Sequence, residues 1–398
     1  MKSVENKYNN WEIYPPRPAW AEIDITKIKH NATTICKKVY PAKVMAVVKA
    51  DGFGHGLVET AKAALKGGVT NLGVATLDEG IALRRAGVKD PILLMGTIQP
   101  RFAELVYINN LTVALCTFEL AEAFSKLNIE NDKKINVHVK VNTGLNRIGI
   151  PVKDTVKFIK GVQKLKQINI EGIFTTFADP DNLDTSHSVK QFKTFVELLT
   201  DIKNEEINIK YSHITNSPLI NKHPEMNLDL VRVGRLIYGV TPWLPKLKKE
   251  LGLKSALTIR CEIVFITKVN KGDTIGFDKM YYAKDNMKIA TLPIGFADVG
   301  RLFQGNSDVI INKTLSNVLS IASDQTLVDV TNIPNIKIGE KVIIIGEDGN
   351  KRLDIIDIMA RTGLSAGTIC TGLTKRLAKI YFNNGVPYRL NGYLEGNP

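Results

Sequence analysis

With 398 residues, 44% of them hydrophobic and 23% charged, the chain has the proportions of a folded protein and room for two domains. No apolar run approaches the ~20 residues that cross a bilayer, and the polar opening MKSVENKYNNWEIYPPRP lacks a signal peptide's apolar core, so a cytoplasmic protein with no membrane partner is expected. The net charge of +13 is dispersed, which favours a solvated lysine surface over a nucleic-acid site.

In chain order, WAEIDI (20–25) reads as an early strand. Short apolar runs then alternate with helix-like segments: KVMAVV (43–48), LGVAT (72–76), PILLM (91–95), LTVAL (111–115), INVHVKV (135–141), INIEGIFTTF (168–177), IKYSHIT (209–215) and a short run at LIYGV (236–240). Between them lie amphipathic stretches such as LVETAKAALKGG and LDEGIALRRAG, with apolar residues at helical spacing and glycine near the stop. This alternation predicts an α/β chain with a (β/α)8 TIM-type barrel over residues 17–252. A doubly wound sheet is the alternative, but no GxGxxG turn follows the first strand. From LTIRCEIVFITKV (257–269) onward, KIATLPIG, DVIIN, TLVDVT and KVIIIG alternate with turns such as NKGD and GEDGN, which predicts a mainly β C-terminal domain over 253–398. WAEIDI offers itself as a further strand of that domain, and residues 1–16 read as an N-terminal extension. The four cysteines (Cys36, Cys116, Cys261, Cys370) are far apart and form no CxxC pair, so neither a disulfide framework nor a zinc site is expected.

The stretch AVVKADGFGHG (46–56) drives an apolar strand straight into Lys49. A buried, unpaired ammonium is costly. Either the charge reaches water, or desolvation lowers the pKa and the amine can form an imine with a carbonyl compound. A barrel gathers its chemistry at the C-terminal ends of its strands. VKVNTGLNRIG (139–149) delivers Arg147 to such an end, HITNSP (213–218) delivers His213, Asn216 and Ser217, and LVRVGRLIYG (230–239) delivers Arg232 and Gly234. Each alone reads equally well as a surface ion-pair partner, a helix cap or a turn. In register they offer an imine-forming lysine, a hydroxyl-and-glycine site fit for a phosphate, and two arginines.

These motifs, with VATLDEGIALRRAG, IGFDKMYYA, LPIGFAD and SDQTLVDVT, resemble the alanine racemase family in order and spacing, from RPAWAEIDITKIKHN (17–31) to TKRLAKIYF (374–382). The resemblance implies pyridoxal 5'-phosphate as cofactor, a small amino acid as substrate, no metal, and a homodimer with shared active sites. It implies that Lys49 holds the cofactor as an imine and serves as base or acid on one face of the substrate α-carbon. Arg232 then matches the donor to the pyridine nitrogen and His213 its support. Ser217, with Asn216 and the backbone at Gly234 and Arg235, matches the phosphate site. Arg147 matches the arginine near the phenolic oxygen and the substrate carboxylate, and Lys140 a lysine often carried as a carbamate.

Against that family pattern several positions differ. Phe277, in GFDKMYYA, stands at the position of the catalytic tyrosine that serves the other face of the α-carbon, and phenylalanine has no ionisable proton. Phe53 and Phe296 replace two further tyrosines, near the phosphate and the substrate. Ser323 replaces a methionine beside the substrate, Thr176 a histidine, Asn142 an aspartate, and Lys375 a C-terminal tyrosine near the phosphate. Three readings follow: a racemase with its second base elsewhere, Tyr281 or Tyr282 being nearest; a related enzyme with another substrate or one-sided α-proton chemistry; or a non-catalytic cofactor-binding relative. Decarboxylase relatives of this fold place a carboxylate at the pyridine nitrogen, so Arg232 counts against decarboxylation.

Overall fold

A computed structural model describes residues 14–129, 133–241, 245–279, 281–305 and 307–393. Most of the expected N-terminal extension, residues 1–13, lies outside them, as does Met280 of the IGFDKMYYA motif. The chain divides into two units: residues 28–52 with 57–254, and residues 1–27 and 53–56 with 255–398. Strand β1 (Ala19–Asp24) opens the latter. Among the described residues, no helix is long and apolar enough to cross a membrane.

The first unit is a parallel barrel. Its strands are β2 (Lys43–Val47), β3 (Asn71–Val74), β4 (Ile92–Leu94), β5 (Thr112–Leu115), β6 (Ile135–Asn142), β7 (Ile168–Phe174), β8 (Tyr211–His213) and β9 (Leu230–Val233), in the spatial order β9-β2-β3-β4-β5-β6-β7-β8. Residues 44–48 and all of β3, β4 and β5 are buried, as strands covered on both faces require. The ring is stitched shut between β8 and β9. The Asp229 N–H donates to Ser212 O at 3.2 Å, the Arg232 N–H donates to Thr215 O at 3.0 Å, and Asn216 bridges Arg232 in parallel. The register sets Lys140, Phe174 and His213 level on β6, β7 and β8. Strand ends that are far apart in sequence therefore share one mouth.

The eighth strand is Leu230–Val233, not the LIYGV run expected to form it. Gly234 turns the chain at φ −108° and ψ −87°, and Arg235–Tyr238 closes as a 3-10 turn with Leu236, Ile237 and Tyr238 buried. A short apolar run buried in a turn has the same sequence signature as a short buried strand, because periodicity needs more residues than either supplies.

The second unit is built on a mixed sheet. Its other strands are β10 (Leu257–Glu262), β11 (Phe265–Val269), β12 (Met287–Leu292), β13 (Asp308–Ile311), β14 (Thr314–Ile321), β15 (Thr326–Asp329), β16 (Lys341–Asp348), β17 (Ala378–Asn383) and β18 (Val386–Asn391). The order is β11-β12-β15-β14-β13-β16-β10-β1-β17-β18. β1 pairs antiparallel with β10 and parallel with β17, so the first strand among the described residues is an interior strand of the C-terminal sheet. The LPIGFAD segment is anchored by Asp298. That side chain is fully buried and takes Arg17 Nη1 at 2.8 Å, Arg376 Nε at 2.9 Å and the Gly295 N–H at 3.0 Å. Asp298→Ala removes three charge-assisted bonds and leaves the two partly exposed arginines to water. We expect a loss of about 2–4 kcal/mol in urea unfolding, with a smaller loss for Arg17→Gln.

Candidate active site

Lys49 follows β2, and the four residues after it take left-handed backbone. Ala50, Asp51 and Gly52 have φ of 53°, 53° and 61°, and Phe53 has φ 50°. Left-handed conformation costs roughly 1–2 kcal/mol for each residue with a Cβ. Local bonds offset that strain. The Ala50 N–H donates to Glu79 Oε1 at 2.6 Å, the Gly52 N–H to Val48 O at 2.8 Å, and Asp51 Oδ1 accepts the Leu57 N–H at 2.9 Å. A side chain at residue 52 would meet Thr60 Oγ1 at 2.9 Å, so glycine is required there. Glu79 also accepts the N–H groups of Ala75 at 2.8 Å and Thr76 at 3.3 Å, as half of a capping box with Thr76. The TLDE spacing could have flagged the cap. Nothing in the sequence signals the third bond, across to Ala50. Lys49 is half-buried, and its pKa is lowered, first by burial and then by Arg147, with Glu79 opposing.

Arg232 is buried in the barrel. Its Nη1 lies 2.8 Å from His213 Nδ1, and its Nη2 donates to Thr175 O at 2.7 Å and Ile214 O at 3.0 Å. Its Nε N–H has no acceptor among the described residues. Burial pushes its pKa down to about 10, so it stays a cation at neutral pH. The Phe174 ring stacks on His213, with centroids 4.8 Å apart and planes 4° from parallel, and the Arg232 guanidinium carbon lies 5.3 Å from that ring's centroid. Lys140 Nζ lies 4.9 Å from the same centroid and 3.4 Å from Met95 O. Burial, then Arg232 and Arg147, push the Lys140 amine down to about 8.

The Gly234 N–H donates to Ser217 Oγ at 3.2 Å, and the buried Asn216 Oδ1 has no partner among the described residues. The Arg235 side chain is held by Asp181 at 2.6 Å, which leaves its backbone as the part available here. Asn142 shapes the turn that presents exposed Arg147: its Oδ1 accepts the N–H groups of Gly144 at 3.1 Å and Asn146 at 3.0 Å. Thr176 is half-buried beside Gln191, whose Nε2 donates to Thr176 O at 3.2 Å. The barrel thus brings together Lys49, Lys140, Arg147, His213, Asn216, Ser217, Arg232 and Gly234. This donor set fits pyridoxal phosphate: an amine for its aldehyde, an unspent N–H for its ring nitrogen, and for its phosphate the Ser217 hydroxyl, which accepts the Gly234 N–H and keeps its own proton to donate.

The remaining candidates stand on the second unit. Phe53 is half-buried there, while Ser323 and Lys375 are exposed. Phe277, Tyr282 and Phe296 are 71%, 55% and 52% exposed, far from the usual state of large aromatic side chains. A two-residue ladder pairs Thr274 with Tyr282 and Ile275 with Tyr281. Because strand side chains alternate, Tyr281 packs on the cluster of Ile275, Ala283, Met287, Ile289 and Leu319, and Tyr282 faces outward.

Two family profiles match the chain: alanine racemase, N-terminal domain, over residues 23–242, and alanine racemase, C-terminal domain, over residues 256–381. The alanine racemase of Methanococcus maripaludis is 34% identical over 369 residues, covering 92% of this chain and 99% of its own. The solved alanine racemase of Clostridium difficile superposes with a TM-score of 0.90 at 31% identity, covering 96% of this chain and 100% of that one. A histidine racemase from Leuconostoc mesenteroides superposes with a TM-score of 0.82 at 27% identity, covering 93% and 100%.

The two charges acting on Lys49 give opposite pH shifts. Arg147→Gln removes a charge that lowers the Lys49 pKa, so covalent capture of pyridoxal phosphate, which needs the neutral amine, moves its midpoint to higher pH. Glu79→Gln removes a charge that raises it, so the midpoint moves to lower pH. Absorbance-monitored capture across pH checks both, and two shifts of the same sign contradict the assignment.

Proposed function

The chain belongs to the alanine racemase family, and from that premise we propose that it is a pyridoxal-phosphate-dependent racemase of a small or polar amino acid. The observation that carries the reading is the half-buried amine of Lys49, with its lowered pKa, at the mouth of the barrel that holds Arg232 with its Nε N–H unspent. The bound cofactor supplies an electron sink that loosens the α-proton of an amino acid. Lys49 holds the cofactor and moves that proton on one face. Arg232 donates to the ring nitrogen and, as a guanidinium, keeps its own proton. Ser217, with the backbone of Gly234 and Arg235, takes the phosphate, and Arg147 orients the substrate carboxylate.

The second face needs a proton-carrying group, and Phe277 has none to give. Tyr282, exposed one short turn later, is the hydroxyl we assign to it. The exposed Phe277, Tyr282 and Phe296 also favour a second copy of this chain as the occupant of that surface, giving a homodimer with shared sites. Lys140 is buried, and its pKa, lowered to about 8, raises the neutral fraction available near neutral pH; adding carbon dioxide to that amine releases one proton and makes a carbamate, an anion suited to neighbouring Arg232 and Arg147.

Borohydride reduction and peptide mapping are expected to leave the cofactor on residue 49, and sedimentation to show a dimer. In heavy water with single-enantiomer amino acids, the protein is expected to interconvert the enantiomers of one of them. Tyr282→Phe should slow interconversion by about 10²–10⁴-fold. Deuterium should still enter one enantiomer. If Tyr282→Phe interconverts at the parent rate, the assignment of the second face is wrong; label on another lysine, or no exchange with any amino acid, overturns the racemase reading.

Growth in 13C-bicarbonate tests Lys140 separately. A carbamate resonance is expected in the parent protein and absent from Lys140→Arg; its presence in both places the modification elsewhere.

A further inference from the structure

Two of the six histidines, His138 and His213, lie inside the barrel at 2% and 0% exposure. They form one line with Arg232. A guanidinium only donates, so His213 Nδ1, 2.8 Å from Arg232 Nη1, must accept. A neutral His213 then carries its proton on Nε2, which lies 2.8 Å from His138 Nδ1. His138 Nδ1 accepts in turn, and its own proton sits on Nε2, 3.7 Å from Glu171 Oε2. The other oxygen of Glu171 takes Lys210 Nζ at 3.0 Å, and that lysine is 60% exposed. An ionised carboxylate only accepts. Donor-only Arg232 therefore fixes the proton direction along the line, and Glu171, at ion-pair distance, places a negative charge on the side of the His138 Nε2 proton.

The packing preserves this geometry. Gly172 is the register partner of His138, and a Cβ there would lie 2.6 Å from His138 Nδ1. The charged groups facing the two imidazoles are Arg232 and Lys140 at the mouth side and Glu171 with Lys210 at the other. Burial is the largest influence on both rings and favours their neutral forms, which the line requires.

We propose that His138, facing Glu171, is a positioning residue: through His213 it fixes the orientation of the Arg232 guanidinium and so reserves the Nε N–H for the cofactor's ring nitrogen. The role of Arg232 rests on the function proposed above, whereas the proton direction does not. No sequence motif marked His138 or Glu171, and His138 reaches Arg232 through His213.

The test uses cofactor-free protein labelled with 15N-histidine, so that the tautomers are read without activity. His138 and His213 are both expected to be neutral with Nε2 protonated at neutral and mildly alkaline pH, since burial lowers both pKa values. Titration with pyridoxal phosphate follows. His138→Leu leaves the His213 Nε2–H without an acceptor and should weaken cofactor binding about tenfold. His138→Gln, whose side-chain carbonyl can accept that proton, should recover most of the loss, and Glu171→Leu should cost less than His138→Leu. Gly172→Ala crowds the ring without deleting any polar group, and should weaken binding if His138→Leu fails to fold. A proton on Nδ1 of either ring, or binding at the parent affinity in both His138→Leu and Gly172→Ala, overturns the proposal. Parent protein that binds no cofactor while showing the expected tautomers overturns the function instead and leaves the line of imidazoles standing.

Discussion

A permanent cation inside the barrel governs the arrangement of the site. Arg232 is 6% exposed, and a buried charge must be satisfied by hydrogen bonds or by another charge. No carboxylate sits beside it among its bonded partners. Two main-chain carbonyls, an imidazole and the face of Phe174 take that place. The consequences spread from there. His213 must stay neutral to accept, His138 must follow, and Lys140 is pushed toward its neutral amine. A polar network of this kind is stable only when each member is satisfied, and among the described residues the Nε N–H has no acceptor and remains for a ligand.

Around Lys49 the constraint is conformational. Successive left-handed residues are unfavourable for chains of L-amino acids, and such strain persists only when the surroundings over-determine it. Glu79 supplies much of that determination. One carboxylate gathers N–H groups from the end of β3, from the start of the helix Leu77–Arg85 and from the Lys49 turn. The same charge raises the Lys49 pKa while burial and Arg147 lower it, so the group that holds the turn also moderates that amine.

The chemistry is divided between two kinds of scaffold. The barrel carries the residues proposed to hold the cofactor, on rigid strand ends. The mixed sheet carries the exposed aromatic residues on short turns, including two successive non-glycine residues with positive φ at Asp278 and Lys279. The anchored Asp298 gives the second scaffold a fixed loop for Phe296, two positions away.

The sequence by itself determined the fold class, the change from alternating βα units to a β domain, and the placement of Lys49, Arg147, His213 and Arg232 after or within barrel strands. Those features depend on local periodicity, turn residues and spacing, which a chain displays along its length. It also showed that Phe277 has no proton to offer, since that is a property of the residue type. It misplaced the last barrel strand, because a buried 3-10 turn and a short strand share one apolar signature. Tertiary structure alone decided that Lys140, Phe174 and His213 stand level, that Glu79 reaches Ala50, that Tyr282 and not Tyr281 faces outward, and that His138 and Glu171 continue the line from Arg232. The physical reason is register: which residues of separate strands become neighbours is set by how the whole barrel closes, and no single segment carries that information.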